Sequence, residues 1–100
     1  DARGKITAFT SSFAAKAPVV ILITTDLAAG PFYAGKEEKV LNSAATAGAS
    51  GQSMYLMATA RGLGMCMIAG FDASAAQSIL GLGNDELPLY IMPLGYPKNR

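Results

Sequence analysis

The sequence contains no histidine and no tryptophan, a single cysteine, and charged residues at only 15% of its 100 positions. Each shortage removes a class of function. Without histidine, and with Cys66 set inside the apolar run MCMIAG, the chain cannot assemble a nucleophile with an imidazole base or a zinc site of nitrogen and sulfur ligands. A lone cysteine closes no internal disulfide, and a thiol among apolar neighbours behaves as a small hydrophobe, so a reducing, cytoplasmic setting is expected. A formal net charge of +1, with the basic residues scattered, offers no basic stripe to nucleic acid. No apolar run approaches the roughly 18 residues that span a bilayer, and the longest, APVVILI, has strand length, so no membrane partner is expected. No charged leader precedes a cleavable apolar core. The first residue is Asp1 rather than a methionine, as in a trimmed or partial product.

The carboxylates Asp1, Asp26, Glu37, Glu38, Asp72, Asp85 and Glu86 fall in charged or turn contexts. They read as solvated caps, not as a general acid and base couple.

What the chain has in abundance is apolar residues, 51% of the total. One domain of this length leaves roughly a third or more of its unfolded surface exposed even when folded, so a partner surface is expected.

Along the chain, Ile6, Phe9 and Phe13 stand at helical spacing and Pro18 ends the pattern, predicting a helix over residues 5–16. The continuous β-branched and aliphatic run VVILITT, residues 19–25, reads as a central strand covered on both faces. Residues 26–36, with two glycines and a proline, form a loop. Residues 37–61 lack proline and repeat apolar or small residues every three or four positions, predicting a long helix closed by Gly62. Its middle, SAATAGASGQS, is nearly all small, and each internal glycine costs about 1 kcal/mol against alanine. Close helix-against-helix packing, within the fold or across a dimer axis, would offset that. Strands follow at 65–69 and 87–95, separated by a helix that Asp72 or Ser74 caps and Gly81 or Gly83 ends. Helices between successive strands predict a parallel or mixed sheet under helices in a single domain, residues 1–100.

The GLG triplets at 62–64 and 81–83 invite a dinucleotide reading. Each follows a helix and lacks the third glycine that opens one, so the phosphate-cradling fingerprint fails. What remains is a chain able to hold a cofactor that brings its own chemistry, with flavin the leading case.

Three stretches, APVVILITTD at 17–26, GASGQSMYLMATARGLGMCMIAGFD at 48–72 and LPLYIMPLGYP at 87–97, resemble the carboxyl-terminal half of the nitroreductase family of FMN-dependent oxidoreductases. The middle stretch is the specific one, with Gly48, Gln52, Leu56, Ala58, Gly62, Leu63 and Gly64 at the family spacing. The resemblance implies an α+β fold, a mixed sheet covered by helices, and a homodimer with the long helix at its core and FMN at the interface. It also implies ping-pong electron transfer from NAD(P)H through FMN to a nitroaromatic, a quinone or a similar small-molecule acceptor.

Carried over by position, Met67, Ile68, Ala69 and Gly70 match the turn whose backbone passes the flavin ring, where a side chain at Gly70 would collide with it. Lys98 and Arg100 resemble the basic residues that reach the FMN phosphate, and Phe32 and Tyr33 the aromatics of the substrate channel. No side chain is implied as catalytic, because the flavin carries the chemistry, and no metal is implied. Ser53, Thr46 and Ala69 depart from the family's frequent Asn, Asp and Glu. The amino-terminal Arg and Ser motif that makes most phosphate and ring contacts has no counterpart in this chain, so a separate amino-terminal segment would have to complete the site. The alternative is a non-catalytic half-domain that keeps the packing and serves as a structural or interaction partner.

Overall fold

In a computed structural model the chain is described over residues 3–10, 12–29 and 35–97. Two short 3-10 segments, Arg3–Ala8 and Ser12–Lys16, lead into β1 (Val19–Asp26); then come α1 (Lys36–Ala60), β2 (Gly64–Met65), α2 (Ala73–Ile79) and β3 (Glu86–Gly95). The α+β class expected from the sequence is what is found.

The order of the three strands is β1-β3-β2, and both pairings are antiparallel. This corrects two expectations. Residues 19–25 form an edge strand, and β3 is the central one, with Ile91 and Met92 buried on its opposite faces. β1 and β2, joined through the long helix, do run in the same direction, but β3 lies between them and opposes both. The seven residues of α2 span only about 10 Å, short enough to sit over the connection without forcing a parallel crossover. The β1–β3 register holds from Val19 opposite Leu94 to Ile23 opposite Tyr90, then shifts by one residue at Thr24 opposite Pro88, leaving Leu89 as the bulge.

Residues 5–16 do not make one α-helix. With Ile6, Thr7, Thr10, Ser11 and Ser12 in a 12-residue stretch, β-branching and side-chain competition for backbone groups weaken an already short helix. The Thr7 hydroxyl donates to the Gly4 carbonyl at 3.3 Å, one such competing bond.

The sheet divides two packed layers. On one side Ile6, Phe9, Ala14, Ala76 and Ile91 form a buried cluster, joined by Val20, Leu22, Ile68 and Phe71. On the other lies α1, whose buried positions are Ala47, Gly51 and Ala58. The small-residue face of α1 therefore meets the sheet, not another helix, among the described residues. A Cβ built on Gly51 would stand 2.5 Å from Met67 Cε and 3.4 Å from Met92 Sδ, and one on Gly48 would stand 3.5 Å from the Tyr90 hydroxyl. Two methionines, being unbranched and adaptable, fill the space that the glycine opens.

Both GLG triplets end helices, as their positions in the sequence required. Gly62 adopts φ 76°, its N–H donates to the Thr59 carbonyl at 3.0 Å, and the Leu63 N–H donates to the Ala58 carbonyl at 2.8 Å. Gly81, at φ 69°, repeats the pattern with Ser78, while Leu82 donates to Gln77. These are Schellman caps, in which a left-handed glycine lets the last carbonyls of the helix find donors.

Candidate functional site

Past the α1 cap the chain enters the β2 ladder, where the Cys66 N–H donates to the Pro93 carbonyl at 3.2 Å. Ile68 then exchanges both backbone hydrogen bonds with Ile91, at 2.8 and 2.9 Å. Strand periodicity sends the backbone N–H of Ala69 away from β3, toward the open edge of the sheet. Immediately afterwards the Phe71 N–H donates to the Ala69 carbonyl at 3.1 Å, closing a three-residue turn centred on Gly70.

Met67, Ile68, Ala69 and Gly70, the residues singled out from the sequence, thus lie together where the ladder ends. Met67 and Ile68 are half-buried and point to opposite faces of the sheet, Met67 toward α1 and Ile68 toward the core. Ala69 and Gly70 are exposed. Among the described residues, the N–H groups of Ala69 and Gly70 have no acceptor. Two donors at one exposed bend suit an electron-rich group brought from outside the fold.

Gly70 has no positive φ, and a Cβ built on it would meet nothing within 4 Å among the described residues beyond its chain neighbours. Neither backbone conformation nor internal packing demands a glycine there, in contrast to Gly62 and Gly51. The bend alone does not explain the residue, and the space before it is free for a ligand face. The donor set and the open Gly70 fit the edge of a flavin ring.

The turn is held from its far side as well. The Asp72 N–H donates to the Phe9 carbonyl at 3.1 Å, and the Phe71 and Phe9 rings lie 6.3 Å apart at 55°. The Asp72 carboxylate accepts the Ala75 N–H at 3.1 Å and caps α2, so it is committed to the helix. Sequence reading gives Phe9 only a place on an apolar face, because its contact with Phe71 joins distant parts of the chain and leaves no local signal.

Two grooves flank the ladder. One, of about 380 Å³, runs under the end of α1 between Ile21, Met54, Met57, Leu63, Met65 and Leu94. The other, of about 590 Å³, is lined by Phe13, Lys16, Met65, Cys66, Pro93 and Tyr96. Lys98 and Arg100, and Phe32 and Tyr33, lie outside the described residues. Ser53, one of the departures noted above, donates its hydroxyl to the Ala49 carbonyl at 3.2 Å within α1. No helix among the described residues is long and apolar enough to cross a membrane.

The family model described as Nitroreductase family matches residues 2–96. A nitroreductase family protein from Streptococcus pneumoniae TIGR4 superposes with a TM-score of 0.85 at 17% identity, over 100% of this chain and 67% of that one. A nitroreductase family protein from Clostridium novyi NT aligns at 26% identity with a TM-score of 0.69, over 89% of this chain and 49% of that one. The FMN and NADPH-dependent nitroreductase NfnB of Sphigopyxis sp. strain HMH aligns at 20% identity with a TM-score of 0.64, over 86% of this chain and 35% of that one. The chain therefore spans from 35% to 67% of the length of these three structures. No curated protein matches it.

Proposed function

The chain belongs to the nitroreductase family, and on that premise we propose that it forms part of an FMN-dependent oxidoreductase whose flavin lies against the turn at residues 67–70. The observation that carries this reading is the pairing, at one exposed turn, of two N–H donors that find no acceptor among the described residues with a glycine that those residues do not require.

FMN, when bound, would supply the redox chemistry between NAD(P)H and a nitroaromatic, a quinone or a similar acceptor. The chain's own part is positional. The Ala69 and Gly70 N–H groups donate toward the ring edge where negative charge builds on reduction, and they are fixed before the ring arrives. Gly70 admits the ring face, while Met67 and Ile68 anchor the turn to the two packed layers. Lys98 and Arg100 would meet the phosphate through charge-assisted hydrogen bonds, and Phe32 and Tyr33 would border the acceptor.

An exposed turn cannot keep water from a reactive ring, so a second surface must cover it. Met54, Tyr55, Leu56 and Met57 are all exposed along the end of α1, Leu56 at 60% and Met57 at 55%. The exposed apolar residues support a homodimer through α1, the arrangement that the family resemblance implies.

Absorbance of the purified protein tests the reading. A flavin band that acid removes and added FMN restores supports it; a colourless protein that ignores FMN overturns it. The exposed apolar residues Leu56 and Met57 also suit a second reading, a half-domain that binds no flavin and acts as an interaction partner. Intact mass of the whole preparation separates the two further, because a co-purifying polypeptide with an Arg and Ser motif would complete the FMN site.

A further inference from the structure

The turn at 67–70 is gripped at both ends and free only in its middle. Upstream, Ile68 and Ile91 exchange two hydrogen bonds within 2.9 Å. Downstream, Phe9 holds the chain twice, accepting the Asp72 N–H through its carbonyl and meeting the Phe71 ring with its own. Phe9 is 5% exposed and belongs to the same buried cluster as Ile91, against which Ile68 and Phe71 also pack. The two grips therefore share one foundation. Between them stand the residues whose N–H groups lack acceptors, Ala69 and Gly70.

Unpaired N–H groups on a loose loop would turn to water, and a glycine adds freedom to any segment that holds it. Donors aimed before the ligand arrives avoid that reorganisation, provided that the shell behind them is rigid. We infer that Phe9 and Phe71 are positioning residues, forming a clamp that fixes the direction of the Ala69 and Gly70 N–H groups toward the electron-rich edge of a ring ligand. This rests on the flavin reading for the identity of the ligand, but the clamp is a property of the chain alone.

Two measurements keep these apart. In the unliganded chain, amide order parameters of Ala69 and Gly70 should stand near the rigid-backbone value of about 0.85 and fall below about 0.6 in Phe71→Leu. In the FMN-loaded protein, Phe71→Leu should weaken FMN binding several-fold and lower the preference for reduced over oxidised FMN about tenfold, a midpoint about 30 mV more negative for a two-electron couple. Phe71→Tyr, which keeps the ring at a half-buried position, should restore both. Leu80→Ala, in the same cluster but away from the turn, should lower the melting temperature without moving the potential. Mobile Ala69 and Gly70 amides in the wild type overturn the clamp whatever FMN does. A rigid turn with a potential unchanged in Phe71→Leu overturns the positioning role. A wild type that binds no FMN overturns the cofactor reading, and the order parameters then judge the clamp by themselves.

Discussion

The Cβ that Gly51 lacks would lie 2.5 Å from Met67 Cε, so the long helix and the first residue of the candidate site meet with no side chain of the helix between them. Gly51→Ala should be nearly neutral, within about 1 kcal/mol, because the gain in helix propensity opposes the displacement of a flexible methionine end. Gly51→Leu should cost about 1–3 kcal/mol by overpacking and push Met67 outward, dragging the turn with it. Thermal unfolding reads the first effect, and amide shifts of residues 67–70 read the second.

Gly62 and Gly81 hold positive φ as helix caps, so alanine at either should cost about 1–2 kcal/mol through the left-handed backbone alone. Affinity for any nucleotide should not change except through that loss of stability. Denaturant unfolding of the two variants, beside FMN titration, checks both statements.

Gln77 offers two amide hydrogens to three carbonyls, those of Gly83, Asn84 and Glu86, at 2.8 to 3.1 Å. It ties α2 to the entry of the central strand. Gln77→Leu should destabilise the chain by about 1 kcal/mol, because the partly buried Glu86 carbonyl loses its donor while the exposed carbonyls of Gly83 and Asn84 turn to water. Amide hydrogen exchange should accelerate at residues 84–87 and little elsewhere.

Much of this architecture was legible in the residues, and the misses have physical causes. β-branched runs marked β1, and the left-handed demand after a helix marked Gly62 and Gly81. The central position of β3 was hidden by Pro88 and Pro93, which lack the N–H that an inner strand uses. In the fold, Pro88 sits by the bulge and beyond the end of β2, with a partner strand on one side only. Pro93 accepts the Cys66 N–H and cannot return a bond. The glycines of α1 announced a close approach without naming the partner, since helix and strand side chains fill such a gap equally well. The segment 67–70 enters the candidate site by resemblance, whereas the Phe9–Phe71 contact joins distant parts of the chain and could be found only in three dimensions.

Gly70→Val should leave the stability within about 1 kcal/mol of the wild type, because among the described residues no atom beyond its chain neighbours lies within 4 Å of the new Cβ, and φ is not positive. That makes it a substitution whose effect on a ligand is not confused with unfolding. Circular dichroism through the thermal transition checks this.

Whether this turn receives the flavin is tested most directly by titrating wild type and Gly70→Val with FMN and following flavin fluorescence. Saturable binding by the wild type, weakened at least tenfold in a Gly70→Val protein that still folds, is the expected result. A wild type that ignores FMN, or a Gly70→Val variant that binds it equally well, would contradict the account.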